Sequence, residues 1–272
     1  MRKWQNYRKA IEDNLTIIDK DKKEVPFKLN PPQLDFIKNS TDRNIILKAR
    51  KMGFSSLLLA IGLMKFIHGK NERCVSMSFD KEASAKQLER AKHFLRSYDR
   101  KNGTTIMKSL KYNSTKEMTM EIKEEDGSTY LNSLRIGTAQ SSSFGRGDDI
   151  TFLHLTEVSS IDNLELLLAG VGEAVVRDTM VTMETTANGF NGFKTFWDEA
   201  MLGERGYKCF FYDPSWEYSK DYLDQKRAEL GRLYEQEYPS TALSAFLTSG
   251  DPYFNTDSLQ WYMNQCKDPV AV

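Results

Sequence analysis

Residues 45–56, IILKARKMGFSS, constrain this chain more than any other stretch. Ile45, Ile46 and Leu47 form a short apolar run, which predicts a buried strand. A basic turn follows, Lys48-Ala49-Arg50-Lys51-Met52, and then Gly53. Beyond Phe54, Ser55 and Ser56, the residues Leu57, Leu58, Leu59, Ile61, Leu63, Met64 and Phe66 predict a helix buried on most of its surface. Strand, basic turn, glycine, hydroxyl and helix is the layout of a phosphate-binding loop. Backbone N–H groups and the helix N-terminus hold the anion there, and the helix dipole favours negative charge. Gly53 lets the backbone approach a phosphate without a Cβ in the way. Ser55 stands where such a loop needs a hydroxyl for Mg²⁺. The usual pattern is GxxxxGK followed by Ser or Thr. Here Lys48 stands at the first glycine position and Phe54 at the lysine position. The loop keeps its glycine and hydroxyl but has moved its cation, and Lys48, Arg50 and Lys51 are the candidates to supply it. The competing reading is a basic strand-to-helix turn with no ligand.

A chain of 272 residues, 40% hydrophobic, is long enough for one sizeable core or a core with a small appended domain. Lys+Arg and Asp+Glu are both 38, so overall charge argues neither for nor against nucleic acid. No apolar run reaches membrane-spanning length, and residues 57–67 are broken by Gly62 and Lys65. The first residues, MRKWQNYRKAIEDN, contain no apolar signal region. Cys74, Cys209 and Cys266 are isolated and lack metal-type spacing, which predicts a reducing, cytosolic setting.

Along the chain, Trp4, Tyr7, Ile11, Leu15 and Ile18 recur at helical spacing and predict an amphipathic helix within residues 1–24. Two prolines, Pro31 and Pro32, lead into a short helix over 33–39. Gln33 lies just upstream of the phosphate loop, where its amide, both donor and acceptor, can read adenine; the alternative is an ordinary surface glutamine. Residues 73–79 read as a second strand, and Asp80 as the cap of a helix over 81–100. From 81 to 116 there are ten Lys/Arg against three acids, an excess that either tracks a phosphate backbone or forms a solvated face. Period-two patterns on both sides of Asp126-Gly127 predict a hairpin. A polar loop, AQSSSFGRGDD, carries Arg146 between two glycines.

Residues 150–155 are a third buried strand, ending in Thr156-Glu157. A carboxylate at the carboxyl end of a central strand is where an NTPase places its metal-organising or water-activating acid. Asp usually precedes that Glu; here Thr156 does, and its hydroxyl can hold a metal-bound water with less charge. His154 reads as a core or supporting histidine. A fourth strand over 178–184 is followed by Thr185, Thr186, Ala187, Asn188 and Gly189, a small polar turn that can sense a γ-phosphate or simply connect strand to helix. A helix over 193–201 and a strand over 207–212 follow. Pro214 marks a boundary, beyond which a charged helix over 220–237 is expected.

In order and spacing, PPQLDF before LKARKMGFSS, FGRG before TFLHLTEVSS, then TTANG, then EQEYPSTALSAFLTSGDPYF resemble the ATPase part of the large terminase subunit of tailed bacteriophages. The resemblance covers roughly residues 27–254. It implies an α/β fold, a RecA-like P-loop NTPase core with a parallel-rich sheet flanked by helices. Residues 1–30 would be a helical arm, 31–213 the ATPase core and 214–272 a small helical lid or linker. It implies ATP and Mg²⁺ as ligands and ATP-driven packaging of double-stranded viral DNA into a procapsid. The partners implied are a portal protein, a small terminase subunit and further copies in a ring, in the cytoplasm of an infected host. Residue by residue, Gln33 falls on the adenine-contacting motif, and Lys48 through Ser55 on the phosphate loop. Thr156 and Glu157 fall on the metal and catalytic pair, Thr185 through Gly189 on the coupling motif, and Arg146 on a loop that can send an arginine into a neighbour's site. Family variants with a lysine at the front of the loop favour Lys48 as the displaced cation. The family's nuclease domain, and nuclease activity, are not expected of this chain. Two rivals stand beside this reading: another nucleic-acid-dependent P-loop ATPase such as a helicase, and a non-catalytic nucleotide-binding assembly protein.

Overall fold

The chain opens with α1 (Gln5–Asn14) and a small antiparallel pair, β1 (Thr16–Ile18) and β2 (Glu24–Pro26). The structure, a computed structural model, describes residues 5–19, 21–139 and 149–247, with 258, 261–262 and 265–266 beyond them. The single helix expected within 1–24 is corrected here. Ile11 and Leu15 are buried as the spacing demands, but Ile18 lies in a strand and is 55% exposed. The cause is local. The Asp19 carboxylate accepts the backbone N–H groups of Asp21 and Lys23, both at 2.9 Å, and Lys22 takes a φ of 62°, which closes a turn no helix contains. Trp4 lies outside the described residues.

Next comes α2 (Pro31–Asn39), with prolines in its first turn, where a missing N–H costs nothing. β3 (Arg43–Lys48) and α3 (Phe54–His68) flank the basic turn, as the sequence predicts. β4 (Arg73–Ser78) leads to α4 (Lys81–Asn102), capped by Asp80, whose carboxylate accepts the Ala83 N–H at 2.7 Å. A short α5 (Ile106–Ser109) and β5 (Tyr112–Asn113) precede the hairpin of β6 (Glu117–Lys123) and β7 (Thr129–Thr138), which turns at Gly127, φ 83°. Then follow β8 (Ile150–Thr156), α6 (Leu164–Gly172), β9 (Val175–Thr185), α7 (Gly192–Met201) and β10 (Lys208–Tyr212). The chain continues through α8 (Lys220–Leu230), α9 (Tyr234–Glu237) and α10 (Ala242–Leu247). The helix expected over 220–237 is therefore broken. Gly231, at φ 53°, ends α8; a single 3-10 turn, Gly231–Leu233, follows, and α9 begins at Tyr234.

Among the described residues one eight-stranded sheet carries the fold, in the order β10-β3-β9-β8-β4-β7-β6-β5. It is parallel from β10 to β7 and antiparallel only at the β6 and β5 edge. Alternation along each strand feeds two cores. Ile46, Cys74, Phe152 and Phe210 face one side with α1, α2, α3 and α4. Ile45, Leu47, Val75, Leu153, Val181 and Met183 face the other with α6, α7 and α10. Helix α3 is apolar nearly all round because it lies between the sheet and α1 and α4; each fully buried Leu, Ile or Phe in it contributes about 1.5–3 kcal/mol. It sits so close to the sheet that a Cβ on Gly62 would come 2.9 Å from the Phe152 ring. Helix α10 docks by burying Phe246 against Phe193, ring centroids 6.0 Å apart. No helix among the described residues is long and apolar enough to cross a membrane.

Candidate functional site

Three adjacent parallel strands, β3, β9 and β8, end side by side and deliver Lys48, Glu184 with Thr185, and Thr156 with Glu157 to one edge. Ligands of open parallel sheets bind beyond the carboxyl ends of such strands. A cavity of about 590 Å³ lies there, within the size range of small-molecule sites. Lys48, Ser55 and Glu157 line it, together with Arg90, Thr186 and Ala187.

The loop of residues 49–53 is held from outside by its carbonyls. Tyr218 Oη donates to the Arg50 carbonyl at 3.1 Å, Asn30 Nδ2 to that of Met52 at 3.2 Å, and Gln33 Nε2 to that of Gly53 at 2.9 Å. The Ala49 N–H continues the β10 ladder to the Tyr212 carbonyl, and the Arg50 N–H reaches the Glu237 carbonyl at 3.1 Å. With the carbonyls turned outward, the N–H groups of residues 51–56 have no acceptor among the described residues, and α3 begins without a side-chain cap. Free amides at the positive end of a helix dipole, beside a cavity, are what an anion requires. Lys51 and Gly53 make the turn at φ 61° and 76°. Replacing Gly53 by Ala adds left-handed strain of about 1–2 kcal/mol and puts a Cβ 2.8 Å from Gln33 Nε2. Gly53→Ala is therefore expected to lower the urea midpoint and to weaken nucleotide binding together, checked by unfolding curves and titration.

Several expected site residues have other work. Gln33 is buried and does not line the cavity; its Oε1 accepts the Asn30 N–H at 3.1 Å while its Nε2 braces Gly53. It forms a capping box and sets the loop, which leaves the adenine contact expected of it without support. Phe54 points into the core, stacked on Tyr212 at 5.0 Å, so the usual lysine position carries no cation. Ala49 and Met52 are likewise buried. The Arg50 guanidinium is paired with both Glu237 oxygens at 2.8 Å, so its charge is directed at α9. Lys51 is exposed at the rim. Arg146 lies outside the described residues.

Lys48 is the cation inside. It is 5% exposed, with Nζ 3.2 Å from Glu184 Oε2. Burial works against its charge, but attraction to Glu184 and Glu157 outweighs this and raises its pKa. Glu184, fully buried at the end of β9, is the residue the sequence reading did not single out. Ser55 Oγ donates to its Oε1 at 2.6 Å and Thr156 Oγ1 to the same oxygen at 2.5 Å. His154 Nε2 lies 3.6 Å away. Burial alone would push this carboxyl up; Lys48, His154 and Ser55 hold it well below the usual carboxylate range. The only signal in the sequence was a lone acid closing an otherwise uncharged run, VTMET.

Glu157 follows β8 at φ 54°, a left-handed conformation uncommon for a side chain with Cβ. Its N–H donates to the Glu184 carbonyl at 2.8 Å, which fixes that turn. Burial first, and then the charge of Glu184, raise its pKa against the pull of Lys48 and Arg50. The turn after it is clamped by the strand-end motif: Ser159 Oγ and Thr185 Oγ1 are 2.8 Å apart, and Asn188 and Asn191 both donate to the Ser159 carbonyl. Gly189 completes the motif at φ 67°. Sequence reasoning counted Arg90 in a basic helix face; the structure places it at the cleft, without an ion pair among the described residues. Elsewhere on that face Lys86, Arg100 and Lys111 are paired with Glu82, Glu24 and Glu121. Among the described residues no group of three His, Cys, Asp or Glu forms a metal cage. Ser55 and Glu157, beside the free loop amides, suit Mg²⁺, which takes few protein ligands and shares the phosphates.

No family model matches the sequence, and no curated protein does. Solved structures do. The ATPase domain of the large terminase of Thermus phage P74-26 superposes with a TM-score of 0.58 at 14% identity, covering 78% of this chain and 93% of that one. The large terminase of bacteriophage HK97 gives 0.60 at 15% identity, covering 87% of this chain and 53% of that one. A large terminase from a thermophilic bacteriophage in complex with ADP gives 0.52 at 14% identity, over 78% of this chain and 53% of that one. This chain thus spans about half the length of the last two. It has the P-loop ATPase fold of phage large terminases, as its sequence motifs lead one to expect.

Proposed function

We propose that this chain binds ATP with Mg²⁺ and hydrolyses it by attack of water on the γ-phosphate. One observation carries the reading: the start of an uncapped helix, Lys48, Ser55 and Glu157 line one and the same cavity. The loop amides and Lys48 bind the phosphates, and Arg90 faces the same space. Glu157, its turn fixed by Glu184 and the Thr185 motif, orients the water and takes its proton. Ser55 would help hold Mg²⁺, which when bound would offset charge on the phosphates. Because the chain shares its fold with the phage large terminases above, the work proposed for this hydrolysis is translocation of double-stranded DNA into a procapsid. A ring of copies, with a portal protein and a small terminase subunit, would do it in the host cytoplasm.

Purified protein with Mg²⁺ is expected to release phosphate from ATP, and double-stranded DNA to raise the rate. Nucleotide binding without any hydrolysis would replace this reading with that of a non-catalytic assembly protein. Stimulation by single-stranded nucleic acid alone would favour a helicase.

A further inference from the structure

We infer that Glu184, on β9, supplies the metal-positioning carboxylate that Thr156 cannot supply from β8. This rests on the nucleotide-site reading above. Thr156 and Glu184 are directly paired across the two strands, so a carboxylate at 184 reaches the space a shorter acid at 156 would occupy. The hydrogen-bond arithmetic supports it. Ser55 Oγ has one hydrogen and spends it on Glu184 Oε1 at 2.6 Å. Both Ser55 lone pairs are then free for a cation on the cavity side, where Ser55 is part of the wall. Thr156 Oγ1 also donates to Oε1, which holds the carboxylate in that orientation. The other oxygen, Oε2, is buried without a hydrogen-bond partner among the described residues, and the Lys48 charge lies 3.2 Å from it. When Lys48 turns to a phosphate, that negative charge is released behind Ser55, where a divalent cation needs it. Glu184 is therefore a positioning residue that acts through Ser55 and through its charge.

The alternative is that Glu184 serves only as a structural partner for Lys48. The two roles separate in the Mg²⁺ dependence of nucleotide affinity. A fluorescent ADP analogue is titrated into wild-type and Glu184→Gln protein, first in EDTA and then across a Mg²⁺ series. In EDTA the variant is expected to bind as well as wild type or better, because Lys48 is no longer held by a carboxylate. Its Mg²⁺ requirement is expected to rise about 10–100-fold, the usual cost of losing an outer partner of a metal ligand. Thr156→Asp in the Glu184→Gln background, which places a carboxylate on β8, is expected to reverse much of that rise. An unchanged Mg²⁺ requirement in Glu184→Gln, or affinity lost equally with and without Mg²⁺, overturns the inference while leaving the nucleotide site intact. Wild-type protein that binds no nucleotide in either condition overturns the site reading itself. Should Glu184→Gln not fold, Glu184→Asp is read instead. It keeps the charge but draws the oxygens back from Ser55, and a folded Glu184→Asp protein with wild-type Mg²⁺ dependence overturns the inference equally.

Discussion

Glu157→Gln is expected to lower ATP turnover by about 10²–10⁴-fold, the range of a lost general base, while ATP affinity stays within a few-fold. The substitution keeps the shape and the backbone turn at φ 54°, and removes only the ability to take a proton. Stability gives an internal control. Because the Glu157 pKa is raised in the fold, its favourable contribution is complete below the unfolded value and is lost as pH rises through the folded one. Burial and the Glu184 charge disfavour the ionised form of Glu157, so a glutamine that carries no charge should leave Tm equal or higher. A dead variant with an unchanged or raised Tm places the loss in the chemical step. Near-normal hydrolysis by Glu157→Gln would remove the assignment.

Lys48→Ala has the second large effect, and it falls on stability and binding together. Removing one partner of a buried ion pair strands the other charge, at a cost of roughly 3–5 kcal/mol. For a chain of this size that lowers Tm by about 6–20 °C. Loss of a charge-assisted phosphate contact costs about 1.5–3 kcal/mol more in binding, tenfold or greater in nucleotide affinity. Adding Glu184→Gln to Lys48→Ala is expected to restore most of the stability and none of the affinity, a non-additive pair of the kind that double-mutant cycles resolve. Lys51→Ala, at an exposed rim position, should change Tm little and affinity less than Lys48→Ala does. Equal losses from Lys48→Ala and Lys51→Ala would show that the backbone amides, not Lys48, hold the phosphates.

The features legible in the sequence were those written in local chemistry. The apolar triplet at 45–47, the glycine after the basic turn, the Asp80 cap and the Asp126-Gly127 turn each act within a few residues, and each stands where the pattern puts it. What was not legible depends on partners distant in the chain. Glu184 becomes part of the site only because β9 lies between β3 and β8, bringing it to Ser55, 129 residues earlier, and to Thr156. Gln33 has the right amide for a base, but its two ends are taken by Asn30 and Gly53, and the second bond forms only once the loop closes over α2. Phe54 stands at a lysine position but turns inward, because Phe36 and Tyr212 offer it an aromatic pocket. The break between α8 and α9 was misread because a charged helical pattern runs through Gly231 without a gap, and only the backbone angle there shows the stop.

The loop of residues 49–53 and α9 are joined by three bonds in parallel: Arg50 N–H to the Glu237 carbonyl, and the Arg50 guanidinium to both Glu237 oxygens. Tyr218 adds a further tether from the segment ahead of α8. Tethers arranged this way share load, so none stretches unless all do. Any displacement of the loop would therefore have to be shared by α9 and by the segment that carries Tyr218.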